Sequence, residues 1–190
     1  MMNSFININL YCFYCKIHAS LLGCPISQIM VFNLMKKLII GATGSIGSAV
    51  SRNIQKNGGK THLVGRNEKE ISSLANELGS SFTVADVLNE NFSDKIISDL
   101  GNEEIDGLAF CVGSIDLKPL KLTKKSDYMQ CFNLNLISAT EIIRATYDKL
   151  KKNKGSIVLF STVAARRGFL NHSIISCLLY TSPSPRDVRS

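Results

Sequence analysis

The feature that most constrains this chain is a run of three spaced glycines in Gly41-Ala42-Thr43-Gly44-Ser45-Ile46-Gly47. Leu38-Ile39-Ile40 precedes it, a short apolar run of the kind that forms a buried parallel strand. Ile46, Ala49, Val50 and Ile54 follow at helical spacing. A strand that turns straight into a helix uses each glycine differently. Gly41 permits the tight turn, Gly44 lets the backbone approach a bound pyrophosphate, and Gly47 lets helix and strand pack closely. The unpaired N–H groups that open the helix then face anionic groups, and Thr43 and Ser45 add hydroxyl donors. The turn, including Ile46, is therefore expected to bind a dinucleotide of the NAD(P) type. No Gly-Lys-Ser/Thr follows, which excludes a Walker-type nucleotide loop.

Strand and helix signals alternate beyond the turn. Gly58-Gly59 stops the first helix, and Thr61-His62-Leu63-Val64 predicts a second strand. Asn67 with Glu70 resembles a capping box, opening a helix whose apolar face is Ile71, Leu74, Ala75 and Leu78 and which Gly79 closes. Phe82–Ala85 predicts a third strand, residues 91–100 a helix, Leu108–Val112 a fourth strand, Ser126 to about Leu150 a long helix, and Ser156–Phe160 a fifth strand. This order with short loops predicts an α/β, Rossmann-type, doubly wound parallel sheet, three-layered with helices on both faces. Arg66, just after the second strand, stands where NAD sites usually carry an acid and where an arginine accommodates the 2′-phosphate of NADP. NADP is thus the expected cofactor, with NAD as the alternative.

The two ends read differently. Residues 1–34 carry one charged residue, Lys16, and lack the basic start of a signal peptide. Polar residues interrupt them too often for a membrane span. Met35-Lys36-Lys37 looks like a natural beginning, so 1–34 are expected to be a spurious or disordered extension. At the other end, Cys177 to Asp187 resembles the in-frame translation of a sequencing adapter. The expected organisation is 1–34 outside the fold, 35–176 a partial nucleotide-binding domain incomplete at its C-terminus, and 177–190 non-native. Cys12-Phe13-Tyr14-Cys15 has the spacing of a metal or redox pair, but no second pair follows and no metal is expected. A net charge of +7 raises nucleic acid as a partner, but the cations scatter apart from two clusters, Lys118/Lys121/Lys124/Lys125 and Lys149/Lys151/Lys152/Lys154, and Trp is absent. The expected partner is a small-molecule substrate, with no nucleic acid and no membrane, in a reducing, cytoplasmic setting.

Taken together, these residues resemble the short-chain dehydrogenase/reductase family over about residues 35–176. The glycine turn matches the GxxGxxG spacing of its extended and atypical branches. The resemblance implies carbonyl/alcohol hydride transfer and assigns further roles. Asp86 and Val87 look like the pair that contacts adenine, and Asp106 like a structural acid. Cys111, Val112 and Gly113 fall on the family's Asn-Asn-Ala-Gly segment, where only the glycine survives, and imply a cofactor-lining backbone. Asn135 matches the helix asparagine of the proton relay. Thr162, with Ser161 before it, falls at the catalytic serine position. Asn67 joins Arg66 beside the ribose. The family's Tyr-x3-Lys pair has no match: its tyrosine would fall near Ile175 and its lysine near Leu179. His172 is the nearby group able to donate a proton. The resemblance therefore implies an oxidoreductase whose fragment lacks turnover, or else an NADP-binding sensor or scaffold. It also implies pairing of copies in the complete protein.

Overall fold

The computed structural model describes residues 7–12, 35–161 and 170–180. The elements are β1 (Asn7–Cys12), β2 (Lys36–Ile40), α1 (Ser45–Lys56), β3 (Lys60–Gly65), α2 (Glu68–Leu78), β4 (Ser81–Val84), α3 (Phe92–Leu100) and β5 (Ile105–Phe110). A 3-10 turn (Leu120–Leu122) leads to α4 (Lys125–Phe132), a π-helical segment (Asn133–Ile137), α5 (Ser138–Lys152), β6 (Ser156–Ser161) and α6 (Ser173–Tyr180). Among the described residues the six strands are all parallel, in the order β1-β6-β5-β2-β3-β4.

Two apolar clusters cover opposite faces of the sheet, as the doubly wound pattern requires. One joins Leu38, Ile40, Leu108 and Phe110 to Phe92 and Ile96 of α3 and Ile142 and Leu150 of α5. The other joins Ile39 and Leu63 to Ile71, Leu74 and Leu78 of α2. Neighbouring residues of β2 point to opposite faces, so Leu38-Ile39-Ile40 must be apolar throughout.

The capping signals act as their chemistry demands. The Asn67 side-chain oxygen accepts from Lys69 N at 3.0 Å and Glu70 N at 3.4 Å. Gly79 ends α2 in the left-handed region, at φ 58°.

Several elements differ from expectation. β5 begins at Ile105, three residues before the expected strand, and ends at Phe110. Its start contains Asp106 and Gly107, poor strand formers that non-local contacts hold in place. Asp106 is bridged by Lys37 Nζ at 2.9 Å, and a Cβ on Gly107 would press on the Lys37 side chain. The long helix is interrupted by the π segment. Residues 7–12, expected outside the fold, form an edge strand paired with β6 from Asn7↔Ser156 to Cys12↔Ser161. Cys12 of the CxxC pair thus ends a strand, while Cys15 lies outside the described residues. The boundary expected at Ser176 falls inside α6, where Ile174, Ile175 and Leu178 pack with Cys131 of α4. Among the described residues, no helix is long and apolar enough to cross a membrane.

A buried polar chain runs between β3 and β4. His62 is 1% exposed; its Nδ1 meets Ser81 Oγ and its Nε2 meets Thr83 Oγ1, each at 2.9 Å. Thr83 in turn donates to Asp99 Oδ2 at 2.7 Å, and Lys36 Nζ donates to Ser81 Oγ at 2.9 Å.

Candidate dinucleotide site

In a parallel sheet, loops that leave the C-terminal strand ends share one edge. The turn after β2, Arg66 after β3, Asp86 after β4, the 111–114 segment after β5 and Ser161 closing β6 all lie there. This edge beside the central strands is where open α/β sheets bind ligands.

The glycine turn has little freedom. Gly41 adopts φ 78°, and a Cβ there would lie 2.8 Å from Val112 Cγ2 and 3.1 Å from the Cys111 carbonyl. A Cβ on Gly47 would overlap the Gly41 carbonyl oxygen and lie 2.8 Å from Ala42 Cα. Gly44 is different, with ordinary φ of −70° and room for a Cβ at 3.4 Å from Gly41 O. Gly41 N and Ala42 N both donate to Val64 O at 2.9 Å, locking the turn to β3. The start of α1 has no side-chain cap and no acidic residue in its first turn. The amides of Ser45, Ile46 and Gly47 have no acceptor within the helix, leaving an electropositive end aimed at the cradle.

Beside the turn, Arg66, Asp86, Leu88, Asn89, Phe92 and Lys95 line a cleft of about 730 Å³. Asp86 Oδ1 accepts from Leu88 N at 3.0 Å, fixing the loop after β4, and Val87 is buried. Arg66 is exposed at the cleft wall.

The 111–114 segment meets the turn from the other side. Cys111 N donates to Ile40 O at 2.8 Å. Burial pushes the Cys111 thiol up to about 12, so it stays protonated and is no nucleophile at neutral pH. Asn135, inside the π segment, clasps Ser114: its Oδ1 accepts from Ser114 N and its Nδ2 donates to Ser114 O, both at 3.2 Å. Nδ2 also donates to Cys131 O at 2.9 Å, satisfying a carbonyl where helical bonding changes. Gly113 fits because a Cβ there would stand 3.0 Å from Asn135 Oδ1. The Asn135 amide therefore positions the loop. Asn135→Ala is expected to cost about 0.5–1.5 kcal/mol, since the part-buried Cys131 carbonyl loses its partner while exposed Ser114 turns to water. A thermal melt checks this, and an unchanged midpoint would count against the clasp.

Ser161 closes β6 half-buried; Thr162 lies outside the described residues. The loop His172 donates from Nδ1 to Leu170 O at 2.7 Å. Sequence reasoning missed Ser114, because its partner lies twenty-one positions along the chain and a lone serine after glycine carries no signal.

Comparisons with known proteins show the family and the fold. The short chain dehydrogenase profile matches residues 36–177. The chain belongs to the short chain dehydrogenase family. It is 30% identical over 135 residues to the 3-oxoacyl-[acyl-carrier-protein] reductase FabG of Rickettsia typhi, covering 69% of this chain and 55% of that protein. A tropinone reductase homolog of Arabidopsis thaliana is 30% identical over 136 residues, covering 67% and 52%. The chain thus spans about half the length of the curated relatives it matches. Serine dehydrogenase from Escherichia coli superposes with a TM-score of 0.71 at 22% identity, covering 77% of this chain and 70% of that one. A short chain dehydrogenase/reductase family protein gives 0.72 at 20% identity, covering 78% and 64%. At these identities the structural likeness speaks for the fold alone.

Proposed function

We propose that the protein is an NADP-dependent oxidoreductase acting on a small carbonyl or alcohol substrate. The observation that carries this reading is the cradle: an uncapped helix start, glycines that no side chain can replace without collision at Gly41 and Gly47, and Arg66 at the end of β3. Thr43, Gly44, Ser45, Ile46 and Gly47 would hold the pyrophosphate, and Arg66 with Asn67 the 2′-phosphate. Asp86 and Val87 would flank the adenine, and the Cys111–Gly113 backbone the nicotinamide side. When bound, the dinucleotide supplies or accepts hydride. Ser161, which closes β6, and Thr162 after it are the proposed hydroxyl donors to the substrate oxygen.

Arg66 decides the cofactor preference in this reading. Arg66→Ala is expected to weaken NADPH binding by roughly tenfold or more, the loss of one charge-assisted contact, and to leave NADH binding within about twofold. Fluorescence titration of both nucleotides checks this, and equal weakening of both would remove Arg66 from the phosphate site. Consumption of NADPH by the complete protein, offered a panel of ketones and aldehydes, tests turnover. Tight binding without consumption by any of them would favour a sensor over an enzyme.

A further inference from the structure

We propose that the segment between β5 and α4 is a docking surface for an anionic lipid bilayer. It stands apart from the cofactor reading and revises the expectation of no membrane partner, since surface contact needs no spanning helix. Leu117, Leu120 and Leu122 are 56%, 70% and 60% exposed, within six residues of one another. Such a concentration of outward leucine on a short segment calls for a cover.

The segment is anchored with its leucines outward. Lys118 Nζ bridges Asp116 at 2.9 Å and Asp127 at 3.0 Å, and Lys118 N donates to Asn171 O at 3.2 Å. Leu122 N donates to Pro119 O at 2.9 Å and Thr123 N to Leu120 O at 3.1 Å. One lysine of the cluster is thereby engaged within the fold. Lys121 and Lys125 are exposed and meet no carboxylate among the described residues, and Lys124 faces Asp127, which Lys118 already holds. Lys124 and Lys125 also stand at the start of α4, the helix end where cations are disfavoured. Their charge therefore serves something other than the helix.

Leucine and lysine together indicate what covers the surface. Protein interfaces are depleted in lysine, and leucine is under-represented among their energetic hot spots. A bilayer surface takes both, with leucines at the acyl boundary and lysines on anionic headgroups. The segment leaves the C-terminal end of β5, so docking would turn the edge bearing the glycine turn and Ser161 towards the lipid.

Co-sedimentation of the chain with vesicles tests the proposal. Binding is expected to vesicles of phosphatidylcholine containing about one third phosphatidylserine, and not to phosphatidylcholine alone. High salt should release it. The triple variant Lys121→Gln, Lys124→Gln, Lys125→Gln should lower the partition coefficient roughly a hundredfold. Leu120→Asn with Leu122→Asn should weaken binding while the thermal midpoint stays in place, because both side chains are exposed. Absence of sedimentation with the anionic vesicles overturns the proposal, as does binding that neither variant moves. Light scattering that shows a dimer, converted to monomer by the leucine variant, also overturns it, because a second copy would then be the cover.

Discussion

Gly47→Ala is expected to abolish the native fold around the cradle, whereas Gly44→Ala is expected to keep the fold and lose the cofactor. The two glycines stand three residues apart in one turn, yet their surroundings differ. A Cβ on Gly47 meets the Gly41 carbonyl and the Ala42 backbone, which cannot rotate away because Gly41 N and Ala42 N are both tied to Val64 O. Separating α1 from β2 would uncover Leu63 and Ile39 and cost roughly 3 kcal/mol or more. Gly44 has a φ that alanine adopts freely and only an ordinary contact at 3.4 Å. Its replacement should cost less than about 1 kcal/mol. The added methyl would nonetheless stand where the pyrophosphate approaches the backbone, weakening dinucleotide binding by roughly tenfold or more. Denaturant melts and nucleotide titrations of both variants separate the outcomes. A Gly47→Ala protein as stable as the parent would show that helix and strand do not meet as described.

The second large effect is an acid-dependent loss of stability set by His62. Burial, with Lys36 nearby, holds the imidazole down at about 4 from its ordinary 6.5. Between those values the unfolded chain takes up a proton that the folded chain refuses. Stability is therefore complete above pH 6.5, falls as pH drops towards 4, and levels off below, with a total loss of about 3 kcal/mol from this group. The carboxylates act in a lower window. Glu77 is held down by its hydrogen bond from Arg52, and Glu104 by Lys152 and Asn153, so their stabilisation is lost only as pH falls below the ordinary carboxylate range. His62→Gln retains polar contacts to Ser81 and Thr83 and should flatten the slope between pH 6.5 and 4. Urea melts across that range check it. An unchanged slope in the variant would assign the acid sensitivity to other groups.

How legible this molecule was in its sequence depended on distance along the chain. The turn from Ile40 to Gly47 was readable because a buried parallel strand, three glycines and an amphipathic helix follow one another within twenty residues. The Asn67 cap and the Gly79 stop are equally local. What pairs distant residues was not readable. His62 shows no role in Thr61-His62-Leu63-Val64, because Ser81, Thr83 and Asp99 reach it only once the strands align. Asn135 could be singled out by motif, but its clasp on Ser114 and the π segment that aims it have no separate sequence mark. β1 was missed because pairing with β6 joins residues almost one hundred and fifty apart, and no turn signal links them. The start of β5 was misplaced because Asp106 and Gly107 read as loop until Lys37 is set beside them.

The most direct test of the dinucleotide site is a calorimetric titration of NADPH into the chain and into its Gly44→Ala variant, with folding of both checked by circular dichroism. A cradle at Gly41–Gly47 predicts one saturable site in the parent, stronger for NADPH than for NADH, and a loss of roughly tenfold or more in the folded variant. A folded parent that binds neither nucleotide, or a variant that binds as tightly as the parent, would contradict it.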